Sequence, residues 1–228
     1  GFDKTIINKL GIKNSKKHTQ INYLDKAIKT YKSPKNQVTI AMCGKYNSLH
    51  DAYKSILEAF IHAGIDNDAK VNVKWLDTEQ FEKDMNFKVF EGIDGILIPG
   101  GFGYRGIEGK IMAAQYAREN NIPFLGICLG MQCAVIEFAR NICNLKNSNS
   151  TEFDVTTKYP VIDLMPSQKK VIDKGATMRL GKYSCTLSKK GNAYKAYGKI
   201  NINERHRHRY EVNNRYKKQL GLKFPGRW

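Results

Sequence analysis

Cys128 stands between an apolar stretch and a helical pattern, and its neighbours make it a candidate nucleophile. The segment Gly126-Ile127-Cys128-Leu129-Gly130 follows apolar residues that begin at Ile122 and precedes a helical pattern over residues 131–140. Glycines two positions to either side of a nucleophile are typical of a tight strand-to-helix turn. The turn predicts a strained backbone at Cys128, and the start of the helix predicts a stabilised thiolate. A buried structural cysteine is the alternative interpretation.

A glycine-rich segment, Pro99-Gly100-Gly101-Phe102-Gly103, follows a second apolar strand pattern. A loop of this kind is often only a tight turn, but glycines at the carboxyl end of a strand also expose backbone N–H groups that bind a phosphate or an oxyanion. Acyl transfer through a thiol needs such donors for the tetrahedral intermediate. We therefore expect the N–H groups of Gly101 and Leu129 to form an oxyanion hole beside Cys128.

A third segment, Asn203 to Asn213, concentrates three arginines, two histidines and two glutamates. This density favours a binding or catalytic site over a solvated face. From the residue types alone, His206 or His208 is one possible general base for the cysteine, with Glu211 as the group that orients it.

Alternating strand and helix patterns must position these segments. Apolar strand patterns over 38–44, 71–75, 94–99 and 122–127 alternate with helical patterns that include one ending at Gly64, one from Thr78 and one over 111–120. This alternation predicts an α/β fold with a doubly wound, mostly parallel sheet flanked by helices. The site then lies at the carboxyl ends of the strands.

The C-terminal portion, from about residue 158, has a β-rich pattern. It predicts a strand over 158–165, a hairpin formed by 177–181 and 183–187, and a short helix over 214–220. Residues 1–36 are polar and lysine-rich with one amphipathic piece, Ile21 to Tyr31, and we interpret them as a linker. The folded domain is expected to span residues 37–228.

Composition excludes several classes of protein. No apolar run reaches the roughly 18–20 residues that cross a bilayer, so no membrane association is expected. Five cysteines without a C-x-x-C pair indicate neither a disulfide framework nor a zinc site, and favour a reducing cytoplasm. The net charge of +17 is spread over the whole chain, which favours a solvated basic surface over nucleic-acid binding.

Taken together, the motifs resemble those of the class I (triad) glutamine amidotransferases, which have a flavodoxin-like fold. Residues 99–106, 125–132 and 149–153 carry the resemblance, and residues 175–181 and 204–213 narrow it to the glutaminase domains of the CTP synthase family. The similarity extends from about residue 37 to the end of the sequence.

This resemblance implies that Cys128 attacks the side-chain amide of L-glutamine, giving a glutamyl thioester and ammonia. Glu152 matches the position that binds the substrate's α-amino group, and Arg209 matches the arginine that pairs with its α-carboxylate, a task suited to a planar guanidinium. The implied substrate-binding residues are Gly101, Leu129, Gly130, Met131, Gln132, Glu152 and Arg209. No metal or cofactor is implied for this domain.

In the whole enzyme of this family, the ammonia passes to a synthetase domain that aminates UTP with ATP and magnesium, while GTP acts as an activator. No G-x-x-x-x-G-K-[ST] pattern occurs in these residues, so the expected partner is a separate N-terminal synthetase domain reached through residues 1–36. The family also implies a homotetramer for the full-length enzyme.

One departure concerns the general base. In the family it is a histidine in a Phe-His-Pro-Glu string near the C-terminus, and no such string occurs here. We expect the domain to lack its C-terminal tail in this sequence. A catalytically inactive binding or assembly module is the alternative hypothesis.

Overall fold

The computed structural model describes residues 2–12, 19–45, 50–168 and 179–221. The chain divides into two compact units: Gly1–Val38 with Tyr53–Asn72, and Thr39–Ala52 with Val73–Trp228. Cys128 and every other candidate site residue lie in the second unit. None of the helices in the described ranges is long and apolar enough to span a bilayer.

The first unit contains the helices α1 (Phe2–Lys9), α2 (Thr19–Lys32) and α3 (Lys54–Asp66). Helix α2 packs against α3 and contains the predicted amphipathic piece. Helix α3 continues beyond Gly64, so the prediction that it ends there is wrong. A Cβ at Gly64 would lie 2.4 Å from the carbonyl oxygen of Ala69, so the glycine permits a close backbone approach and does not end the helix.

The second unit is built on a parallel sheet. Its strands are β1 (Asn36–Gly44), β2 (Ala69–Asp77), β3 (Gly95–Ile98) and β4 (Phe124–Gly126), in the order β2-β1-β3-β4, and the first residues of β1 and β2 belong to the first unit. Strand β3 pairs in parallel with both β1 and β4. All four residues of β3 are buried, as in parallel strands that are covered on both faces. The predicted mostly parallel sheet is confirmed.

Three helices of the second unit follow these strands: α4 (Thr78–Asp84), α5 (Ile107–Glu119) and α6 (Leu129–Asn141). Helices α5 and α6 contact each other and both contact β3 and β4. An ion pair joins the two helices, with 2.7 Å between Nη2 of Arg118 and Oε1 of the buried Glu137. The chain segments before α5 and before α6 are therefore carried on one packed pair of helices.

The C-terminal portion adds five strands and two helices to the described part of the chain. Strands β5 (Ser148–Ser150) and β6 (Tyr159–Leu164) pair in parallel, and β6 pairs antiparallel with β9 (Tyr210–Val212). Strands β7 (Arg179–Thr186) and β8 (Asn201–Arg207) form an antiparallel ribbon. The helices are α7 (Asn192–Tyr197) and α8 (Lys217–Gly221). Short 3-10 turns cover His50–Tyr53, Phe87–Phe90, Pro166–Gln168 and Asn214–Tyr216.

The predicted strand over 158–165 and the helical turn over 214–220 are confirmed, but the predicted hairpin is wrong. Residues 177 and 178 lie outside the described residues, and Arg179–Thr186 is one continuous strand paired with β8. Gly181 has a φ of 79°, and the register shifts between Arg179 and Gly181. The glycine thus permits a bulge within a strand, which has the same sequence pattern as a turn between two strands.

Candidate active site

The backbone of Cys128 has the strained conformation that the sequence predicts. Its φ is 51° and its ψ is −102°, a combination that few non-glycine residues adopt. It lies between the last residue of β4 and the first residue of α6, and the neighbouring Ile127 N–H donates to the carbonyl of Ile98 at 2.9 Å. The cysteine is therefore held at the carboxyl edge of the sheet, beside the end of β3.

The two glycines that flank Cys128 are required by close packing. A Cβ at Gly126 would lie 2.5 Å from the carbonyl carbon of Gly130, and a Cβ at Gly130 would lie 2.2 Å from the carbonyl oxygen of Ile98. Both contacts are with backbone atoms, which cannot move aside as a flexible side chain can. The predicted reason for glycine on either side of the nucleophile is confirmed.

The environment of Cys128 disfavours its thiolate. Burial raises the pKa of the thiol above its usual value, the N–H of Leu129 bonded to the sulfur lowers it by less, and the charge of Glu152 raises it further. The stabilising effect predicted for the start of the helix is present in the Leu129 N–H, but removal from water outweighs this one backbone donor, so the pKa is raised. The thiol needs a base to accept its proton before it can act as a nucleophile.

The glycine-rich loop over residues 99–103 lies next to the Cys128 turn. A Cβ at Gly100 would be 3.6 Å from the Cβ of Cys128, and a Cβ at Gly101 would be 3.5 Å from Cδ2 of Leu129. This proximity is what an oxyanion hole formed by Gly101 and Leu129 requires. Their role as donors to an oxyanion stays a prediction.

A cavity of about 190 Å³ opens beside the sulfur of Cys128. It is lined by Gly101, Phe102, Cys128, Gln132, Glu152, His208, Arg209 and Tyr210. Six of the residues singled out from the sequence, including His208, are thus brought together from four separate segments of the chain. Leu129, Gly130 and Met131 are not among the lining residues, and their predicted contacts with a substrate are not tested by the cavity.

An acidic and a basic side chain share this cavity. Glu152 accepts a hydrogen bond from the N–H of Gly103 at 3.3 Å. Burial raises the pKa of Glu152, whereas the Gly103 N–H and the charge of Lys45 lower it. A carboxylate and the guanidinium of Arg209 in one small cavity suit a ligand with an ammonium and a carboxylate group.

Gln132 connects α6 to the last strand of the site. Its Nε2 donates to the carbonyl oxygen of Tyr210 at 3.0 Å, and its side chain is buried. One residue earlier, the carbonyl of Arg209 accepts a hydrogen bond from the N–H of Met165 at 3.0 Å. The first bond holds the segment that carries Arg209 against the helix that follows Cys128, and the second joins it to the end of β6. Among the described residues, no group of three or more His, Cys, Asp and Glu side chains is placed to hold a metal ion.

The two histidines that were considered as bases differ in their position relative to the cavity. His208 lines the cavity, with its Nε2 at 3.9 Å from Oε2 of Glu211. Burial lowers the pKa of His208 and so does His206, whereas Glu211 raises it. His206 is not among the lining residues and stacks on Tyr183 with ring centroids 4.8 Å apart. A neutral imidazole can accept a proton, so His208 stays a candidate base.

Three residues of the site were not singled out from the sequence. Phe102 and Tyr210 line the cavity, and each lies next to a predicted residue in the chain. The third is Lys45, which follows β1 and whose ammonium donates to the carbonyl of Phe102. Its place at the carboxyl end of a parallel strand was the available indication, since ligand sites of such sheets lie at that edge.

Comparison with sequence families identifies similarity over most of the chain. The model for "Glutamine amidotransferase class-I" matches residues 48–224. The chain is 56% identical over 230 residues to the CTP synthase of Pelodictyon phaeoclathratiforme, covering 99% of this chain and 41% of the relative. It is 52% identical over 236 residues to the CTP synthase of Methanocaldococcus jannaschii, covering all of this chain and 43% of the relative. The chain thus spans about two fifths of the length of these curated relatives.

A solved structure is similar in both fold and sequence. It is the glutaminase domain of Trypanosoma brucei CTPS with bound acivicin, with a TM-score of 0.73 and 40% sequence identity. The similarity covers 81% of this chain and 72% of that one. At this identity and coverage the likeness extends beyond general topology to the type of domain.

Proposed function

The chain belongs to the class I glutamine amidotransferase family, within the glutaminase domains of CTP synthases, and we propose that it hydrolyses L-glutamine through Cys128. The observation that carries this proposal is the single cavity that joins the strained cysteine, the glycine-rich loop, a carboxylate and a guanidinium. Glutamine has an ammonium group for the carboxylate, a carboxylate for the guanidinium, and a carboxamide for the cysteine and the glycine-rich loop.

In the proposed reaction, the sulfur of Cys128 attacks the carboxamide carbon of bound glutamine. The N–H groups of Gly101 and Leu129 stabilise the oxyanion of the tetrahedral intermediate. The C–N bond then breaks, the amide nitrogen takes up a proton and leaves as ammonia, and a glutamyl thioester remains. Water hydrolyses the thioester, which releases glutamate and restores the thiol.

Substrate recognition is assigned to Glu152 and Arg209. The ionised carboxylate of Glu152 accepts hydrogen bonds from the α-ammonium group, and the guanidinium of Arg209 binds the α-carboxylate in a bidentate manner. Gln132 supports this arrangement through its bond to the Tyr210 carbonyl. We also retain Gly130 and Met131 as predicted contacts, since they match the family's substrate-binding positions.

Two sources of the general base are consistent with a buried, protonated thiol. One is His208, which lines the cavity and has a lowered pKa. The other is the histidine–glutamate pair of the family's Phe-His-Pro-Glu string, which does not occur among residues 1–228. We favour the second, because the segment around Arg209 matches a substrate-binding segment of the family.

For the protein as a whole we propose that the ammonia aminates UTP in an ATP- and Mg²⁺-dependent reaction on a synthetase domain, with GTP as activator. The relatives named CTP synthase and their greater length support this proposal. The assembly would be a homotetramer of the full-length enzyme. The five free cysteines suit a reducing compartment such as the cytoplasm.

Labelling with the chloroketone analogue of L-glutamine tests the assignment of Cys128. The thiolate displaces chloride and forms a thioether, which mass spectrometry locates. We expect one label on Cys128 in the wild-type chain, protection by L-glutamine, and none on this residue in Cys128→Ala. Equal labelling of the two proteins would overturn the nucleophile assignment.

A catalytically inactive binding or assembly module is the second candidate, and the raised pKa of the Cys128 thiol favours it. The two candidates differ in the release of ammonia. A chain that binds glutamine but releases no ammonia, even when joined to a synthetase domain and the family's C-terminal segment, would support the inactive module.

A further inference from the structure

Lys45 connects the carboxyl ends of two strands of the second unit, β1 and β3. It follows the last residue of β1, and its Nζ donates to the carbonyl oxygen of Phe102, in the loop that follows β3. The same Nζ would lie 3.8 Å from a Cβ at Gly103. The ammonium group therefore contacts the C-terminal half of the glycine-rich loop.

Phe102 and Gly103 connect the predicted oxyanion donor to the carboxylate that is proposed to bind the α-ammonium group. Gly101, the predicted oxyanion donor, directly precedes Phe102, and the N–H of Gly103, which directly follows it, donates to Glu152 at 3.3 Å. Peptide groups are planar, so fixing the carbonyl of Phe102 also fixes the N–H of Gly103 in the same peptide unit. A single donor at this carbonyl thus orients the N–H that bonds to Glu152.

The charge of Lys45 acts on the same carboxylate. Burial raises the pKa of Glu152, and Lys45 is the cationic side chain that opposes this effect. An ionised Glu152 is needed to bind an ammonium group. The bond to the Phe102 carbonyl and the positive charge of Lys45 therefore favour the same arrangement, in which the Gly103 N–H donates to an ionised Glu152.

From these contacts we propose that Lys45 is a positioning residue for glutamine: it holds the loop over residues 101–103 so that Gly101 faces the reacting carbonyl and Glu152 receives the α-ammonium group. This role depends on the proposed glutaminase function. With this role for Lys45, the carboxyl end of β1 contributes to substrate binding together with the ends of β3 and β4, which precede Gly101 and Cys128.

The test compares Lys45→Met with Lys45→Arg in the complete chain. Saturation kinetics of Cys128 alkylation by the chloroketone analogue give a dissociation constant for the reversible complex and a limiting rate. We expect Lys45→Met to raise the dissociation constant about tenfold, as for the loss of a charge-assisted hydrogen bond. Lys45→Arg keeps both the donor and the charge, and should stay within about threefold of the wild type.

Iodoacetamide provides the matched control, because it alkylates the thiol without using the amino-acid pocket. Its rate at Cys128 should change less than the binding of the chloroketone does. The pH dependence of that binding gives a second readout: without Lys45, binding should begin to fail at higher pH as Glu152 is protonated. The other titratable or charged groups around Glu152 are Cys128, Cys133, His208, Arg209 and Tyr210, and all are retained in both variants.

An unchanged dissociation constant in a folded Lys45→Met chain would overturn the proposal, and so would an equal loss of reactivity toward both reagents. If Lys45→Met does not fold, Lys45→Gln, which keeps a donor but not the charge, takes its place with the same pH readout. A wild-type chain in which iodoacetamide labels Cys128 but the chloroketone does not would instead refute the glutaminase function itself.

Discussion

At Cys128, the backbone geometry favours nucleophilic attack, whereas burial disfavours the thiolate. The left-handed φ of 51° presents the residue at the edge of the sheet, as a nucleophile requires, whereas burial raises the pKa of its thiol. Strained conformations of this kind are retained where the surrounding structure imposes them. The resting thiol is thus accessible to a substrate in the cavity but mostly protonated at neutral pH, so its reactivity depends on a base.

Glu152→Gln should change two measurements of Cys128 in opposite directions. The negative charge of Glu152 raises the pKa of the thiol, so a neutral glutamine should move the pH midpoint of iodoacetamide alkylation downward. Binding of the chloroketone analogue should weaken by about tenfold or more, since its ammonium group loses an ionic partner. Rate measurements from pH 7 to 10 with both reagents check this.

The control for this pair of effects is Asp154→Asn, which removes a nearby exposed carboxylate that bonds to Thr156 and does not line the cavity. It should leave both measurements unchanged. A midpoint that stays or rises in Glu152→Gln would show that the charge of Glu152 does not raise the pKa of Cys128.

At the scale of elements, the site depends on how closely α5 and α6 approach the strands. Buried Lys110 on α5 donates to Oγ1 of Thr78 at 3.0 Å and to the carbonyl of Gly106 at 3.1 Å, which holds the start of α5, just after the glycine-rich loop. On α6, Arg140 binds Glu108 of α5 with 2.7 Å between Nη1 and Oε2. These bonds fix the two chain segments that meet at the cavity.

Gly130→Ala should destabilise the fold, because the new Cβ would meet the carbonyl oxygen of Ile98 at 2.2 Å. Relieving this overlap requires α6 to move away from β3, and overpacking of this kind typically costs about 1–3 kcal/mol or more. Urea unfolding followed by circular dichroism measures the loss, and alkylation of Cys128 by the chloroketone should slow at the same time.

Gly221→Ala is the matched substitution, since no atom of the described part of the chain lies within 4 Å of its Cβ position. It should change the free energy of unfolding by less than about 0.5 kcal/mol, as surface substitutions usually do. If Gly130→Ala were equally stable, the helix would not be seated on β3 as closely as the structure indicates.

At the scale of the whole molecule, two sets of ionisable groups differ in burial: basic side chains at the surface and thiols in the core. Most of the 38 lysines and arginines give a basic surface, whereas the thiols of Cys43 and Cys133 are fully enclosed in the second unit. Burial raises the pKa of each to about 12, and the charge of Lys110 lowers both. Because these thiols ionise more readily in the unfolded chain, they should make the fold less stable at alkaline pH.

Stability should decline above pH 9 because of these two thiols. Their pKa is about 12 in the folded chain and near 9.0 when unfolded, so the stabilisation is complete below pH 9.0 and is lost as the pH rises toward 12. Each should contribute a loss of about 1 kcal/mol between pH 9 and 10. Urea unfolding at pH 7.5 and pH 10 should show a smaller decline in Cys43→Ala than in the wild type.

Cys185→Ala serves as the control, because this thiol is exposed in the structure. Its substitution should leave the difference between the two pH values unchanged. A decline as steep in Cys43→Ala as in the wild type would contradict the assignment of the alkaline loss to buried thiols.

Local patterns in the sequence determined the parallel strands, the helices α2 to α6 and the strained turn at Cys128. Apolar runs with glycine punctuation depend on neighbouring residues, so the parallel sheet, α5, α6 and the two glycines around Cys128 could all be predicted. The hairpin over 177–187 could not be distinguished from a bulged strand, because Gly181 permits either and only the pairing with β8 decides between them. Arg209 and Glu152 came from motif resemblance and not from local physics.

Only the tertiary structure decided what depends on distance and removal from water. The start of a helix predicts a thiolate, yet burial beside Glu152 reverses the direction of the pKa shift, and burial is a property of the packed chain. His206 and His208 are equivalent in sequence, but only His208 lines the cavity. No role was predicted for Lys45, which joins the site because parallel strands β1 and β3 place their carboxyl ends at one edge. The residue types define the possible chemistry, and the folded chain selects which residues meet to carry it out.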